Sequence, residues 1–124
     1  MLKINNKIHS LNVSYNRMSD KGVIDICKAL TDRPPSHSAS VVRLECNDIH
    51  DEGILAACQL IQGSPMLKEI AFDCCMSQIE AKKKIKDAVE HHHIIEYCFL
   101  RGAPDSLNKE VQFYISLNIF GMNS

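Results

Sequence analysis

A pattern that occurs twice near the N-terminus constrains the fold more than any other feature of the chain. The two segments read LNVSYNRMSDKG at residues 11–22 and VRLECNDIHDEG at residues 42–53, and they lie 31 residues apart. The apolar positions match in type, and Asn, Asp and Gly are identical in both copies. Self-similarity at a spacing of roughly 20–50 residues is the signature of a repeat array. The sequence therefore predicts a row of similar units rather than a core built from unrelated elements.

Two weaker copies follow toward the C-terminus. The third lies 28 residues after the second, with Ile70 and Phe72 at the strand positions and Cys75 in place of Asn. The fourth lies about 27 residues further on, and Tyr97 and Phe99 occupy its strand positions. A match that decays along the chain is typical of an array that ends in a capping unit.

Each copy predicts a short strand followed by a helix. Alternating apolar residues such as Leu11 and Val13 direct one face of a strand toward a core. Asp20 and Asp51 precede apolar patterns with helical spacing, and we expect both to be helix N-caps. In the third copy, Ser77 begins the S-x-x-E pattern of a capping box.

These motifs resemble leucine-rich repeats of the ribonuclease-inhibitor type. The patterns L-x-V-x-x-N-x-M-x-D-x-G and V-x-L-x-x-N-x-I-x-D-x-G carry the resemblance, together with Cys in the Asn position of the third copy. The resemblance implies an α/β fold, a short right-handed solenoid with a parallel sheet on its concave face and helices on its convex face. We expect one domain over residues 1–124, with about four strand–helix units at approximately 8–38, 39–66, 67–93 and 94–118.

Strand alternation then assigns a surface for a protein partner. In a horseshoe of this kind, the strand residues that do not enter the core project from the concave face. Four carboxylates and one arginine fall there, which predicts an acidic patch that favours a partner with a basic surface. The alternative is that these are simply solvated strand residues. The predicted contact residues are Asn12, Ser14, Arg43, Glu45, Glu69, Asp73, Glu96 and Cys98.

Three other clusters invite a chemical interpretation. The histidines at residues 91–93 suggest a metal site, but zinc needs converging ligands, so a solvated helix C-terminus is favoured. The adjacent Cys74 and Cys75 lack a C-x-x-C arrangement, which favours a structural role. The lysines of segment 82–86 have no interleaved aromatic residues for base stacking, so the solvent face of a helix is favoured over nucleic-acid binding.

Composition is ordinary for a globular chain. Hydrophobic residues make up 45% of the sequence and charged residues 23%, and the formal net charge of −1 gives no general attraction to nucleic acid or acidic membranes. No apolar run is long enough to span a bilayer. Six cysteines without a secretion signal favour reduced, buried thiols and a cytoplasmic location, with the nucleus as the alternative.

The predicted function is a non-catalytic scaffold that binds another protein through the concave strand face, without a cofactor or a metal. Leucine-rich-repeat arrays of the type that this sequence resembles also regulate small GTPases and actin filament ends, and either role is an alternative. A thiol- or metal-dependent enzyme that uses residues 91–93 and Cys98 is a further alternative. An uncapped strand edge at the N-terminal end favours self-association.

Overall fold

The computed structural model describes residues 9–14, 17–34, 39–45, 49–73 and 78–121. The Asn or Cys positions of the first three repeats (Asn16, Asn47 and Cys75) and the predicted cap Ser77 lie outside these ranges. Strands and helices alternate strictly along the described chain, which gives four units of one strand and one helix. The elements are β1 (Ser10–Asn12), α1 (Asp20–Thr31), β2 (Val41–Leu44), α2 (Asp51–Gly63), β3 (Glu69–Asp73), α3 (Ile79–Glu90), β4 (Tyr97–Arg101) and α4 (Asp105–Ile119).

The strands form one parallel sheet in the order β1-β2-β3-β4. Each strand pairs with the next one along the chain, so that Val42 lies opposite Leu11 and Ile70 lies opposite Val42. The helices follow in the same order, since α1 contacts α2, α2 contacts α3, and α3 contacts α4. The predicted leucine-rich-repeat solenoid, with its sheet on the concave face and its helices on the convex face, is confirmed.

The core lies between the sheet and the helices. Alternate residues of the inner strands enter it, and Val42, Ile70 and Phe72 are fully buried. Each helix adds one apolar stripe at the spacing of helical turns, such as Val23, Cys27 and Leu30 on α1. Burial of each large aliphatic side chain contributes about 1.5–3 kcal/mol, so the stripe holds each helix onto the sheet.

The phase of β4 differs from the prediction by one residue. Cys98 and Leu100 are buried opposite Ile70 and Phe72, whereas Tyr97 and Phe99 project from the concave face, so the assignment of these two aromatic residues to the core is wrong. The turn before the strand sets this phase, because the backbone N–H groups of Ile94 and Ile95 donate to Nδ1 of His92 at 3.2 and 3.0 Å. A shift of one residue reverses every side chain of a strand.

The Asp residues that begin α1 and α2 join neighbouring units. Asp20 and Asp51 are the first residues of α1 and α2, and the N-caps are Ser19 and His50, so the predicted capping of their own helices is wrong. Each carboxylate instead accepts a hydrogen bond from the N-cap residue of the following helix. The backbone N–H of His50 donates to Oδ1 of Asp20 at 2.6 Å, and that of Gln78 donates to Oδ1 of Asp51 at 2.7 Å. We call this pair of bonds the Asp ladder.

The Asp ladder ends at the junction between α3 and α4. Ile79 occupies the first position of α3, where the earlier helices have Asp, and an Ile side chain has no acceptor. The N-cap of α4 is Pro104, which has no backbone N–H to donate. Acceptor and donor are thus both lost at the same junction.

Hydrogen bonds from α4 fasten the last strand. Nδ2 of Asn118 donates to the carbonyl oxygens of His92 and Ile95, each at 2.9 Å. Nε2 of Gln112 donates a hydrogen bond at 3.1 Å to the carbonyl oxygen of Cys98. This oxygen points away from β3, because the N–H of the preceding residue, Tyr97, bonds to the chain just before β3 and successive residues of a strand face opposite neighbours. An acceptor at the edge of the sheet is thereby satisfied within the chain. None of the helices in the described ranges is both long and apolar enough to cross a membrane.

Candidate protein-binding face

The side chains of the concave face form rows that cross the sheet. The register aligns residues of all four strands, and side chains that are neighbours in a row lie about 4.8 Å apart. The first row contains Ser10, Val41, Glu69 and Tyr97, and the second contains Asn12, Arg43, Ala71 and Phe99. The third row contains Asp73 and Arg101, which are paired in register, with Glu45 and Ser14 toward β1.

Arg43 occupies the centre of this face. Its guanidinium nitrogens lie 3.4 Å from Oε1 of Glu45 and 3.6 Å from Oε2 of Glu69. The carbon at the centre of the guanidinium lies 5.8 Å from the centroid of the Tyr97 ring, which is within the range of a cation–π contact. Arg43 belongs to β2 and Tyr97 to β4, so the side chain extends across β3. The small side chain of Ala71, next to Arg43 in the second row, leaves room for it and is only 1% exposed.

Two aromatic residues form the exposed apolar part of this face. Tyr97 is 41% exposed and Phe99 is 43% exposed, and they alternate along β4 so that both project from the concave side. A few residues carry most of the binding energy in protein interfaces; Tyr and Arg are enriched among them, and Phe is enriched in interfaces generally. The sequence did contain a signal for them, because Ile70 follows Val42 by 28 residues and Cys98 follows Ile70 by 28.

The predicted contact residues of β1 to β3 lie near one another. Arg43, Glu45 and Glu69 are joined by the ion pairs described above, and Asp73 follows on β3. Asn12 ends β1, and its Oδ1 accepts a hydrogen bond from the N–H of Ser14 at 3.0 Å. The N–H of Glu45 donates to Oγ of Ser14 at 3.1 Å. These polar bonds join the ends of the first two strands.

Two predicted contact residues are misplaced. Cys98 is 2% exposed and belongs to the core, so its assignment to the concave face is wrong. Glu96 is exposed but precedes β4, which removes it from the rows of the sheet. The same one-residue shift of the strand explains both errors. Arg101 takes a place on the face instead, so the described rows hold three carboxylates and two arginines. One of the three, Asp73, is buried at 8% exposure, so the predicted excess of acid is smaller still on the accessible surface.

His92 is a buried residue of the turn after α3, at 6% exposure, and not part of a solvated helix end. Its Nε2 lies 2.9 Å from the carbonyl oxygen of Ser64, so this nitrogen carries the proton, and Nδ1 is left as the acceptor for two backbone N–H groups. Burial lowers the pKa of His92, which favours the neutral ring. In the part of the chain that the structure describes, no three His, Cys, Asp or Glu residues are grouped so that they could hold a metal ion.

The thiols and lysines have structural surroundings. Cys27 and Cys58 are buried, and burial raises the pKa of each thiol to about 12, so neither is a thiolate at neutral pH. On α3, Lys83 lies 3.7 Å from Glu80 and Lys86 lies 3.9 Å from Glu90. The lysines therefore lie on the outer side of a helix whose other side is packed against the core. Cys74 is outside the described residues.

Comparison with known proteins identifies the repeats. A family model for the leucine-rich repeat matches residues 5–27 and 40–56. Among solved structures, actin-binding site 2 of leiomodin-1 superposes with a TM-score of 0.72 at 16% identity, over 87% of this chain and 62% of that one. The tropomodulin C-terminal domain of Caenorhabditis elegans superposes with a TM-score of 0.56 at 12% identity, over 94% of this chain and 87% of that one.

Both structural likenesses concern the fold alone, since the identities are low. The chain spans about 62% of the length of the leiomodin-1 domain. No curated protein sequence matches it at a significant level. The repeated motifs, the parallel sheet with its ordered helices and the family match lead to one conclusion: two segments of the chain match the leucine-rich-repeat family, and the described chain folds as a short leucine-rich-repeat solenoid.

Proposed function

We propose that this protein is a non-catalytic interaction module that binds a protein partner through the concave face. The observation that carries the proposal is the exposure of Tyr97 and Phe99 beside Arg43 on a sheet otherwise covered by small and polar side chains. Rigid aromatic side chains supply contact area at a small cost in conformational entropy. Because they project from a β-strand that is paired in the sheet, the backbone that carries them is already ordered before a partner arrives.

The chemistry of the described residues supports a binding role. A catalytic site brings a nucleophile, an acid or a base together in a cleft. Here the described thiols Cys27, Cys58 and Cys98 are buried, and His92 is committed to hydrogen bonds with the backbone. The exposed charged groups at the centre of the concave face pair with one another.

Affinity capture from a cell lysate tests the proposal. The wild-type chain and the double variant Y97A/F99A serve as baits, and mass spectrometry quantifies the captured proteins. We expect the captured amount of the specific partner to be at least about tenfold lower with the variant, since loss of two aromatic anchors typically costs more than about 1.4 kcal/mol of binding free energy. The matched control is Phe113→Ala, which removes an exposed aromatic side chain from α4 and should leave capture unchanged. Equal capture by wild type and Y97A/F99A would contradict the proposal.

Actin is the second candidate partner. The leiomodin-1 structure is an actin-binding site, and its fold superposes over 87% of this chain. Co-sedimentation with actin filaments, together with the rate of filament elongation, tests whether this chain binds filaments or regulates their ends. Saturable pelleting that Y97A/F99A reduces would place actin on the concave face, and an unchanged elongation rate without pelleting would remove this candidate.

We also propose that the protein acts in the cytoplasm. The support is the burial of the thiols of Cys27, Cys58 and Cys98, none of which forms a disulfide; this state suits a reducing compartment. Imaging of a fluorescent fusion distinguishes the cytoplasm from the nucleus, and a nuclear signal alone would overturn this part of the proposal.

A further inference from the structure

The guanidinium group of Arg43 is surrounded by groups that suit a cation. The carboxylate of Glu45, directly after β2, and that of Glu69 on β3 lie 3.4 and 3.6 Å from its nitrogens, and the ring of Tyr97 from β4 lies 5.8 Å from its centre. Two strands and the residue that follows β2 thus contribute one group each. Carboxylates and an aromatic face are the groups that bind guanidinium most favourably in proteins.

Arg43 is held loosely at this position. Both ion-pair distances are long for charge-assisted hydrogen bonds, and the side chains of Arg43 and Glu69 are more than a third exposed. Exposed ion pairs of this kind contribute little to stability. The side chain is also long and reaches across a neighbouring strand, so other rotamers that point into solvent are accessible to it.

Departure of Arg43 would open a shallow site on the sheet. Ala71 forms its floor, because it lies next to Arg43 in the second row and is covered in the present arrangement. Glu45, Glu69 and Tyr97 would remain around it, and Phe99 lies beside the floor in the same row. We call the group of Glu45, Glu69, Ala71 and Tyr97 the guanidinium site.

We infer that the guanidinium site binds an arginine side chain of the partner, which replaces Arg43. The inference rests on the proposed use of the concave face and names the chemistry of the partner: a segment with an arginine next to an apolar residue that contacts Phe99. Arg43 then acts as a competitor within the chain. The apparent affinity for the partner is reduced by the fraction of molecules in which Arg43 occupies the site.

NMR titration with two short peptides tests this inference. The probes are acetyl-Leu-Arg-Gly-amide and its lysine counterpart, and the readout is the backbone amide shifts of β2 to β4. We expect Arg43→Ala to bind the arginine peptide roughly three- to tenfold more tightly than the wild type, because the competitor is gone. The lysine peptide should bind less tightly, since an ammonium group cannot stack on the ring while it bonds to two carboxylates.

Two control variants separate a specific site from general attraction to negative charge. Lys83→Ala removes the same charge from the outer side of α3 and should leave the affinity at the wild-type value. Arg43→Ala combined with Tyr97→Leu keeps an apolar side chain but lacks the ring, and should bind roughly threefold or more weakly than Arg43→Ala alone. Equal affinity of Arg43→Ala and Lys83→Ala, or shifts that avoid Glu69 and Tyr97, would overturn the inference. Neither result would affect the capture experiment, which tests the concave face without reference to arginine.

Discussion

The imidazole of His92 connects three parts of the chain. Nε2–H donates toward the carbonyl oxygen of Ser64 at the end of α2, and Nδ1 accepts the N–H groups of Ile94 and Ile95 just before β4. The carbonyl oxygen of His92 itself accepts a hydrogen bond from Asn118 on α4. A protonated ring would place a second N–H against two backbone donors, so the arrangement requires the neutral form.

This requirement predicts a loss of stability in mild acid. Folding lowers the pKa of His92 below the ordinary histidine value of 6.5. The stability that the neutral ring contributes is therefore fully present above pH 6.5 and is lost as the pH falls below that value. We expect the urea midpoint of the wild type to fall between pH 7.5 and pH 5.5.

His92→Gln should lower the free energy of unfolding by about 1–3 kcal/mol at pH 7.5, because buried hydrogen bonds are lost, and should weaken the dependence on pH. His91→Gln, which changes the exposed neighbour on the other side, should keep the slope of the wild type. Parallel slopes for His92→Gln and the wild type would mean that another group controls the transition.

At the level of the elements, the junction between α1 and α2 requires a residue without a side chain at Gly53. A Cβ atom at Gly53 would lie 2.7 Å from Oδ1 of Asp20 and 2.7 Å from Cγ2 of Ile49, closer than such atoms approach. For a Cβ atom at Gly22, the equivalent residue of the first unit, the three nearest atoms all belong to the side chain of Met18 and lie 3.3 Å or more away. The same repeat position is therefore tight where two units meet and looser at the start of the array.

We expect opposite effects from alanine at these two glycines. Gly53→Ala should destabilise the protein by about 1–3 kcal/mol, because the new methyl group displaces the carboxylate of Asp20 and the side chain of Ile49. Gly22→Ala should leave stability unchanged or raise it by up to about 1 kcal/mol, since alanine favours a helix and Met18 can move. Urea denaturation of both variants checks this expectation. Strict additivity between Asp20→Ala and Gly53→Ala in a double-mutant cycle would contradict the proposed clash.

Local patterns predicted the elements well, and long-range contacts explain where they failed. The alternation of Val42 and Leu44, or of Ile70 and Phe72, was sufficient to orient β2 and β3. On β4 both phases of the alternation are apolar, so the pattern alone does not choose between them; Tyr97 and Phe99 are the exposed pair, and the orientation depends on His92 and on pairing with β3. Likewise, the Asp positions predicted helix starts, but the bonding partner of Asp20 lies 30 residues away.

For the whole molecule, the contacts are arranged in sequence order. Each helix packs on the next, and each strand pairs with the next. An inner unit is therefore held on two sides, whereas the first and last described units are held on one. In repeat arrays, stability is approximately a sum over units and the interfaces between neighbours.

Thiol labelling can follow how this array opens. Cys27, Cys58 and Cys98 are buried in the first, second and fourth units, and each becomes reactive only when its unit opens. We expect Cys58 to be alkylated more slowly than the other two, because its unit has neighbours on both sides. Mass spectrometry of peptides after timed exposure to iodoacetamide at pH 8 gives the three rates. Identical rates would show that the array opens as one cooperative body.

The Asp ladder also determines which repeat unit could be duplicated in tandem to lengthen the array. The second unit supplies a donor, the N–H of His50, and an acceptor, the carboxylate of Asp51. Tandem copies of this unit would therefore join through the same bond at every junction. The third unit has the donor Gln78 but Ile79 in the acceptor position, so copies of it would lack that bond. An extended array would have to grow from the second unit and keep the third and fourth as its end.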